Sequence, residues 1–400
     1  MNNQKVPKIR FKGFSGDWEQ RKLGDISTSY SGGTPTAGKD EYYGGIIPFI
    51  RSGEISSDHT ELFLTERGFN SSSAVMVKQG DILYALYGAT SGEVSISKLN
   101  GAINQAILAV LPNDGYDTDF IMQWLRKSKD SIVSTYLQGG QGNLSATIVN
   151  QLHIDLPSYN EQRRIGAFFK VLDNNITLHQ SKLDKLKIIK KSMLENCFPK
   201  NGENVPKFRF SGFTGDWEQR KLSELVEKYE DPVETPHDGY TRLGIRSHAK
   251  GTFHEYVKPG HELETAQMHR VAANRLIFNI TFAWEHAVAI TDENDAGKLV
   301  SHRFPQFTLS DALRPEFLKY VILDEDFHHN LYLSSPGGAG RNRVLKTDEA
   351  LDYPIYYPSA DEQHTIGTFL DKLTDLITLH QSKLDKLKVI KKTLLESMFV

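Results

Sequence analysis

The sequence predicts an α+β protein. Two mixed α/β blocks are joined by two long helices that pair as an antiparallel coiled coil, and the whole is a pseudo-two-fold internal repeat. Three observations predict this. A short signature occurs twice at an offset of 199 residues, and a helical segment occurs twice at an offset of 201. The stretches between them are nearly equal in length but little alike in sequence. Such a period is too long for a solenoid and fits two globular units related by an approximate two-fold axis.

The signature comes first. Residues 6–23 read VPKIRFKGFSGDWEQRKL and residues 205–222 read VPKFRFSGFTGDWEQRKL, with 15 of 18 positions identical. The helical segments, 157–198 and 358–399, match at 26 of 42 positions, and ITLHQSKLDKLK recurs unchanged within them. The expected divisions are a repeated signature (1–23), a first divergent block (24–156), a first helix (157–198), a linker with the second signature (199–222), a second divergent block (223–357) and a second helix (358–400).

The helices follow from spacing. Ile165, Phe169, Leu172, Ile176, Leu183, Leu186, Met193 and Cys197 recur at steps of three, four or seven, as do Ile366, Leu370, Leu373, Ile377, Leu384, Leu387, Leu394 and Met398. That is a heptad seam. No proline interrupts it, Pro157 and Pro358 lie just upstream, and Pro199 ends the first copy. Each helix of about 38 residues would span roughly 57 Å. His179 and His380 sit in the seam near each midpoint, where buried polar residues fix register. An antiparallel pair would bring them together.

The divergent blocks read as mixed α/β. AVMVKQGDILYALYG, GAINQAILAVLP and RVAANRLIFNITFAWEHAVAIT are strand-like, whereas DTDFIMQWLRKSKDSIVSTYL and LRPEFLKYVILDEDFHHNLYL read as helices. Each block then has a Gly-rich polar loop, QGGQGNLSATIV at 138–149 and SSPGGAGRNRVL at 334–345. Such loops allow close backbone approach and offer N–H groups to phosphates.

Composition narrows the function classes. The chain has 400 residues, 39% of them hydrophobic and 24% charged, with a net charge of −3. This excludes a disordered protein. One cysteine, Cys197, excludes an internal disulfide and cysteine-based zinc sites. No run of roughly 18 apolar residues is present, so no membrane span is expected. The start MNNQKVPKIRFKGF lacks a signal-peptide core, which points to a cytoplasmic protein. Charge separates along the chain. Residues 24–155 net −6 and residues 223–356 net −7, whereas residues 1–23 net +4 and residues 156–222 net +6. Gly33-Thr-Pro-Thr-Ala-Gly38-Lys39 has Walker A spacing, but Asp40 stands where a magnesium-binding hydroxyl belongs. No catalytic constellation or metal-ligand spacing is visible.

Taken together, these features resemble the specificity subunit of type I restriction–modification systems. The resemblance rests on the repeated signature, on the helix entries PSYNEQRRIGAFFKVLDNNI and PSADEQHTIGTFLDKLTDLI, and on the alternation of divergent and repeated blocks. It also rests on YSGGTP, YYGGIIPFIRSGEIS, GDILYALYGATSGEVSI and NLSATIVNQLHIDLP in the first block. It covers the whole chain. It implies that each divergent block is a target-recognition domain reading one half of an asymmetric bipartite site in double-stranded DNA. The helices would set the spacing and dock two methyltransferase subunits, with two motor–nuclease subunits in the full restriction complex. The chain would be non-catalytic and bind no cofactor, the partner subunits using S-adenosylmethionine, ATP and Mg.

Base readers are then sought among donors near predicted loops. These are Arg51, Gln105, Gln138, Gln141 and Asn143 in the first block, and Arg242, Arg246, His248, Arg341, Asn342 and Arg343 in the second. Arginine suits guanine, and Asn or Gln suits adenine. The helix-pairing and partner-docking candidates are Ile176, His179, Leu183, Leu186, Ile377, His380, Leu384 and Leu387. Two alternatives stand beside this reading. A duplicated enzyme would carry matching polar residues in both blocks, and matching fails there. A pseudo-symmetric scaffold would lack sequence-dependent retention on DNA.

Overall fold

The computed structural model describes residues 5–137, 143–200, 202–262, 267–337 and 343–400. They form two compact units. One comprises Met1–Ser181 with Gln381–Val400, and the other comprises Lys182–His380. The long helices run Tyr159–Asn196 and Ala360–Met398, and each contributes one half to each unit.

In the first unit, four antiparallel strands lie in the order Ser27–Ser31, Ile107–Pro112, Ile82–Ala85 and Val94–Ile96. The central strands are apolar throughout because both faces are covered. Ile82, Tyr84, Leu108 and Val110 face the core built with helix Thr118–Tyr136. The alternate residues Leu83, Ala85, Ile107 and Ala109 pack on the other side, with Ile50, Val77 and Ile103 of a second sheet. This period of two is the strand geometry the sequence implied. The second sheet has the order Phe63–Leu64, Tyr43–Ile50, Gly101–Ile103 and Val75–Val77.

The second unit repeats the plan. Its four-stranded sheet is Val226–Tyr229, Gln306–Leu309, Arg275–Phe278 and Val288–Ile290. Leu276 and Phe278 face the helices and Ile277 faces a five-stranded sheet. One expectation needs correcting. The segment read as one helix, 313–333, is two: Pro315–Val321 and Glu325–Leu333. The Asp324 side chain accepts from the Asp326 N–H and starts a new helix there.

The repeated residues build one joint twice. Signature strand Glu19–Lys22 pairs with His153–Leu156, and Glu218–Lys221 pairs with Pro354–Tyr357. Arg10 grips Glu161 with two bonds of 2.7 Å, and Arg209 grips Glu362 at 2.8 and 2.7 Å. The neighbouring Gln162 accepts from the Asp117 N–H and donates to the Pro157 carbonyl, while Gln363 does the same with Arg314 and Pro358. Gly166 and Gly367 admit close packing: a Cβ would lie 2.3 Å from Asp117 Oδ1 in one and 2.5 Å from the Glu316 carbonyl in the other. Trp18 packs on Phe120 and Phe399, and Trp217 packs on Phe198 and Phe317.

Helix pairing is antiparallel within the first unit. Phe169 meets Phe399, and four residues on Asp173 pairs with Lys391, so one helix ascends as the other descends. Among the described residues, no helix is long and apolar enough to cross a membrane, and no cluster of His, Cys, Asp and Glu is disposed to hold a metal ion.

One buried group is expected to make the stability of the second unit depend on pH. His286 is 5% exposed, bonds the Ile322 carbonyl through Nε2 at 2.7 Å, and stacks on His328 with ring centroids 4.5 Å apart. Burial lowers its pKa from the usual imidazole range, outweighing the Ile322 bond that raises it. The unfolded chain therefore takes up a proton that the folded chain resists. The contribution of His286 to stability is expected to be intact above about pH 6.5 and to decline as pH falls through that value. His286→Asn, which tolerates the local φ of 64° and keeps a donor, is expected to flatten that decline in thermal melts between pH 7 and 5. An unaltered slope would remove His286 as the cause.

Candidate nucleic-acid interface

In the first unit, strand Ile82–Ala85 continues through Leu86 to Tyr87. Leu86 N–H bonds the Ala106 carbonyl at 2.8 Å, and Leu144 N–H bonds the Leu86 carbonyl at 2.8 Å. Tyr87 and Asn143 form an antiparallel bridge. The turn beyond, Gly88 to Gly92, has φ of +84° and +80° at its ends, which glycine adopts without strain. Thr34 Oγ1 donates to Gln105 Oε1 at 2.6 Å. Ala85 lies opposite Ile107, and the Leu86–Ala106 bond continues that register, which sets Gln105 across from Tyr87. The structure thus brings the expected Gln105 and Asn143 together around Tyr87.

Thr34 was not foreseen as a member. Its signal is YSGGTP: a Cβ at Gly32 would lie 1.8 Å from the Ile103 carbonyl, and one at Gly33 would lie 2.0 Å from Ser73 Oγ. Only glycines let this segment lie close enough for Thr34 to reach Gln105.

Arg51 stands apart. Its guanidinium is clamped by Glu54 at 2.6 Å and Glu61 at 2.7 Å. Arg51 in turn pulls the Glu54 carboxyl down to about 2. No bond joins Arg51 to the Gln105 group among the described residues.

The second block holds its candidates differently. Arg242 lies within strand Tyr240–Ile245, not in a loop, and bonds Glu255 directly across on Thr252–Val257 at 2.7 Å. Arg246 donates to the Thr252 carbonyl and covers the Phe253 ring. His248 has a left-handed φ of 61°, and its N–H bonds the Glu285 carbonyl at 2.8 Å. Arg343 stacks on Tyr332 at 4.3 Å, bonds its hydroxyl at 3.0 Å, and forms a bridge with Gly337. Gln138, Gln141, Arg341 and Asn342 lie outside the described residues.

Along the helices, Leu183 and Leu384 are each 1% exposed, whereas Ile176, His179, Leu186, Ile377, His380 and Leu387 are half-buried. The repeated Lys182, Lys185 and Lys187 are exposed.

Two copies of one frame, carrying different polar surfaces, can now be set beside known proteins. The type I restriction modification DNA specificity domain matches residues 15–188 and again 214–389. The chain belongs to the type I restriction–modification specificity family. Its relatives include the MjaVIII specificity subunit of Methanocaldococcus jannaschii, 23% identical over 95% of this chain and 91% of that one. The HindI specificity subunit of Haemophilus influenzae is 28% identical over 40% of this chain and 37% of that one. In fold, the type I S subunit from M. genitalium matches with a TM-score of 0.63 over 99% of both chains at 13% identity. The chain is a specificity subunit of a type I system, a family that is itself non-catalytic.

Proposed function

We propose that this specificity subunit binds double-stranded DNA and reads an asymmetric bipartite site, one half with each divergent block. One observation carries the reading: the joint of Arg, Glu, Gln and Trp is the same in both units, while the polar groups on the blocks differ. A shared frame with unlike surfaces is what two unlike half-sites require. The domain division is then a signature (1–23), a target-recognition domain (24–156), a spacer helix (157–198), a linker and signature (199–222), a second target-recognition domain (223–357) and a second spacer helix (358–400).

The spacer helices set the half-site separation, with His179 and His380 near their midpoints. Their repeated outer lysines offer two copies of one surface to two methyltransferase subunits. Motor–nuclease subunits complete the restriction complex in the cytoplasm. S-adenosylmethionine, ATP and Mg act on those partners. Base readers come from Arg51, Gln105, Asn143, Arg242, Arg246, His248 and Arg343, with Gln138, Gln141, Arg341 and Asn342 in the Gly-rich loops. Clamped arginines such as Arg51 and Arg242 must exchange a carboxylate for DNA, which weakens them as readers.

Block exchange tests the reading. Co-expressed with its methyltransferase, the chain is expected to direct adenine methylation to one bipartite motif. Replacing residues 24–156 with the block of another specificity subunit is expected to change one half of that motif and leave the other. A motif unchanged by the exchange, or no dependence on the chain, would favour a scaffold.

A further inference from the structure

The two units can be superposed by their hydrogen bonds. Ile280 N–H bonds the Arg303 carbonyl at 3.1 Å, as Leu86 bonds Ala106. Leu345 N–H bonds the Ile280 carbonyl at 2.8 Å, as Leu144 bonds Leu86. Thr281 therefore takes the place of Tyr87, His302 that of Gln105, and Arg303, one residue on, that of Ala106. Both units staple the segment after the Gly-rich loop to one strand end. What they display at that point differs in chemistry.

The groups there have hydrogen-bonding capacity left over. Gln105 is exposed. With Thr34 on its oxygen, one lone pair and the amide N–H groups remain among the described bonds. That is the pattern complementary to adenine N6–H and N7. Arg303 is exposed, touches Thr281 Oγ1 at 3.4 Å, and has no ion pair among the described residues. Its fork is open to guanine O6 and N7. Arg51 and Arg242, by contrast, already hold carboxylates.

We propose that this strand end is the base-reading site of each unit, with Gln105 beside Tyr87 reading an adenine in the first and Arg303 beside Thr281 reading a guanine in the second. The inference rests on the proposed function and adds which position on each unit does the reading.

Adenine-methylation maps of the assembled complex test it, with Gln105→Ala, Arg303→Ala, Arg303→Lys and, as comparison, Arg67→Ala. Gln105→Ala is expected to relax one position in one half-site, and Arg303→Ala one position in the other, each by roughly 10- to 100-fold in discrimination. Arg303→Lys keeps the charge but not the fork, and is expected to relax the same position. Arg67→Ala, which removes an exposed guanidinium paired with Glu41 and outside the candidate readers, should leave the motif intact. If both exposed variants assemble and keep the wild-type motif, the assignment falls. It falls equally if Arg303→Ala weakens all sites uniformly and Arg303→Lys restores them, because that marks a phosphate contact. A wild-type chain that directs no motif overturns the proposed function instead.

Discussion

Arg209→Met is expected to destabilise the second unit by about 3–5 kcal/mol, the cost of leaving a buried charge without its partner. Glu362 is 1% exposed and receives both arms of the Arg209 fork, whose side chain is itself only 16% exposed. Methionine fills similar volume but donates nothing, so the carboxylate stays buried and unpaired or takes up a proton. Arg209 also bonds the carbonyls of Gly215 and Thr214, tying the signature loop to the helix start. Those carbonyls are near solvent and water can replace the arginine there. The double substitution Arg209→Met with Glu362→Leu is therefore expected to recover most of the loss. Denaturant unfolding, followed by tryptophan fluorescence, checks both. Arg10→Met should act alike on the first unit through Glu161. A loss below about 1 kcal/mol for Arg209→Met would mean the pair behaves as a surface ion pair.

This pair also shows what was legible. The sequence contains both residues at matched positions in both repeats, and a repeat that outlasts divergence elsewhere points to a shared frame. The helices were readable for the same reason as any amphipathic helix, since apolar positions at steps of three and four mark one face. Which half of each helix serves which unit was not readable, because a seam is uniform along its length. The block strands were visible as apolar runs, and their two buried faces explain the lack of polar alternation. The break at Asp324 was missed because Leu323-Asp324-Glu325 does not interrupt the apolar spacing. At the candidate interface, residue type alone could not separate Arg242, locked across a strand pair, from Arg303, which is open. Pairing partners 13 residues away on a neighbouring strand leave no local signal.

Residues 1–200 expressed alone are expected to form a symmetric dimer. In the full chain the first unit is completed by residues 381–400. Phe399 lies 4.9 Å from Phe120, 5.9 Å from Phe169 and 6.3 Å from Trp18, and Lys391 pairs with Asp173. The fragment lacks that segment but carries its repeat. Met193, Leu194, Cys197 and Phe198 correspond to Leu394, Leu395, Met398 and Phe399, and Lys190 corresponds to Lys391. It cannot use its own copy, because Tyr159–Asn196 is one unbroken helix and residues 182–196 cannot fold back along its own first half. A second copy supplies it, and the exchange closes with two-fold symmetry. Sedimentation should show twice the fragment's mass. Phe198→Ala should weaken the dimer by about 3 kcal/mol or more, over a hundredfold in affinity. Leu183→Asp, which places a carboxylate at a position 1% exposed in the full chain, should abolish it. A compact, stable monomer would show instead that the first unit closes without a partner segment. A dimer would show that the full chain is this same exchange made within one polypeptide. Under the proposed function, such a dimer would read two identical half-sites in inverted orientation, so its methylation motif should be a palindrome built from the first half-site alone.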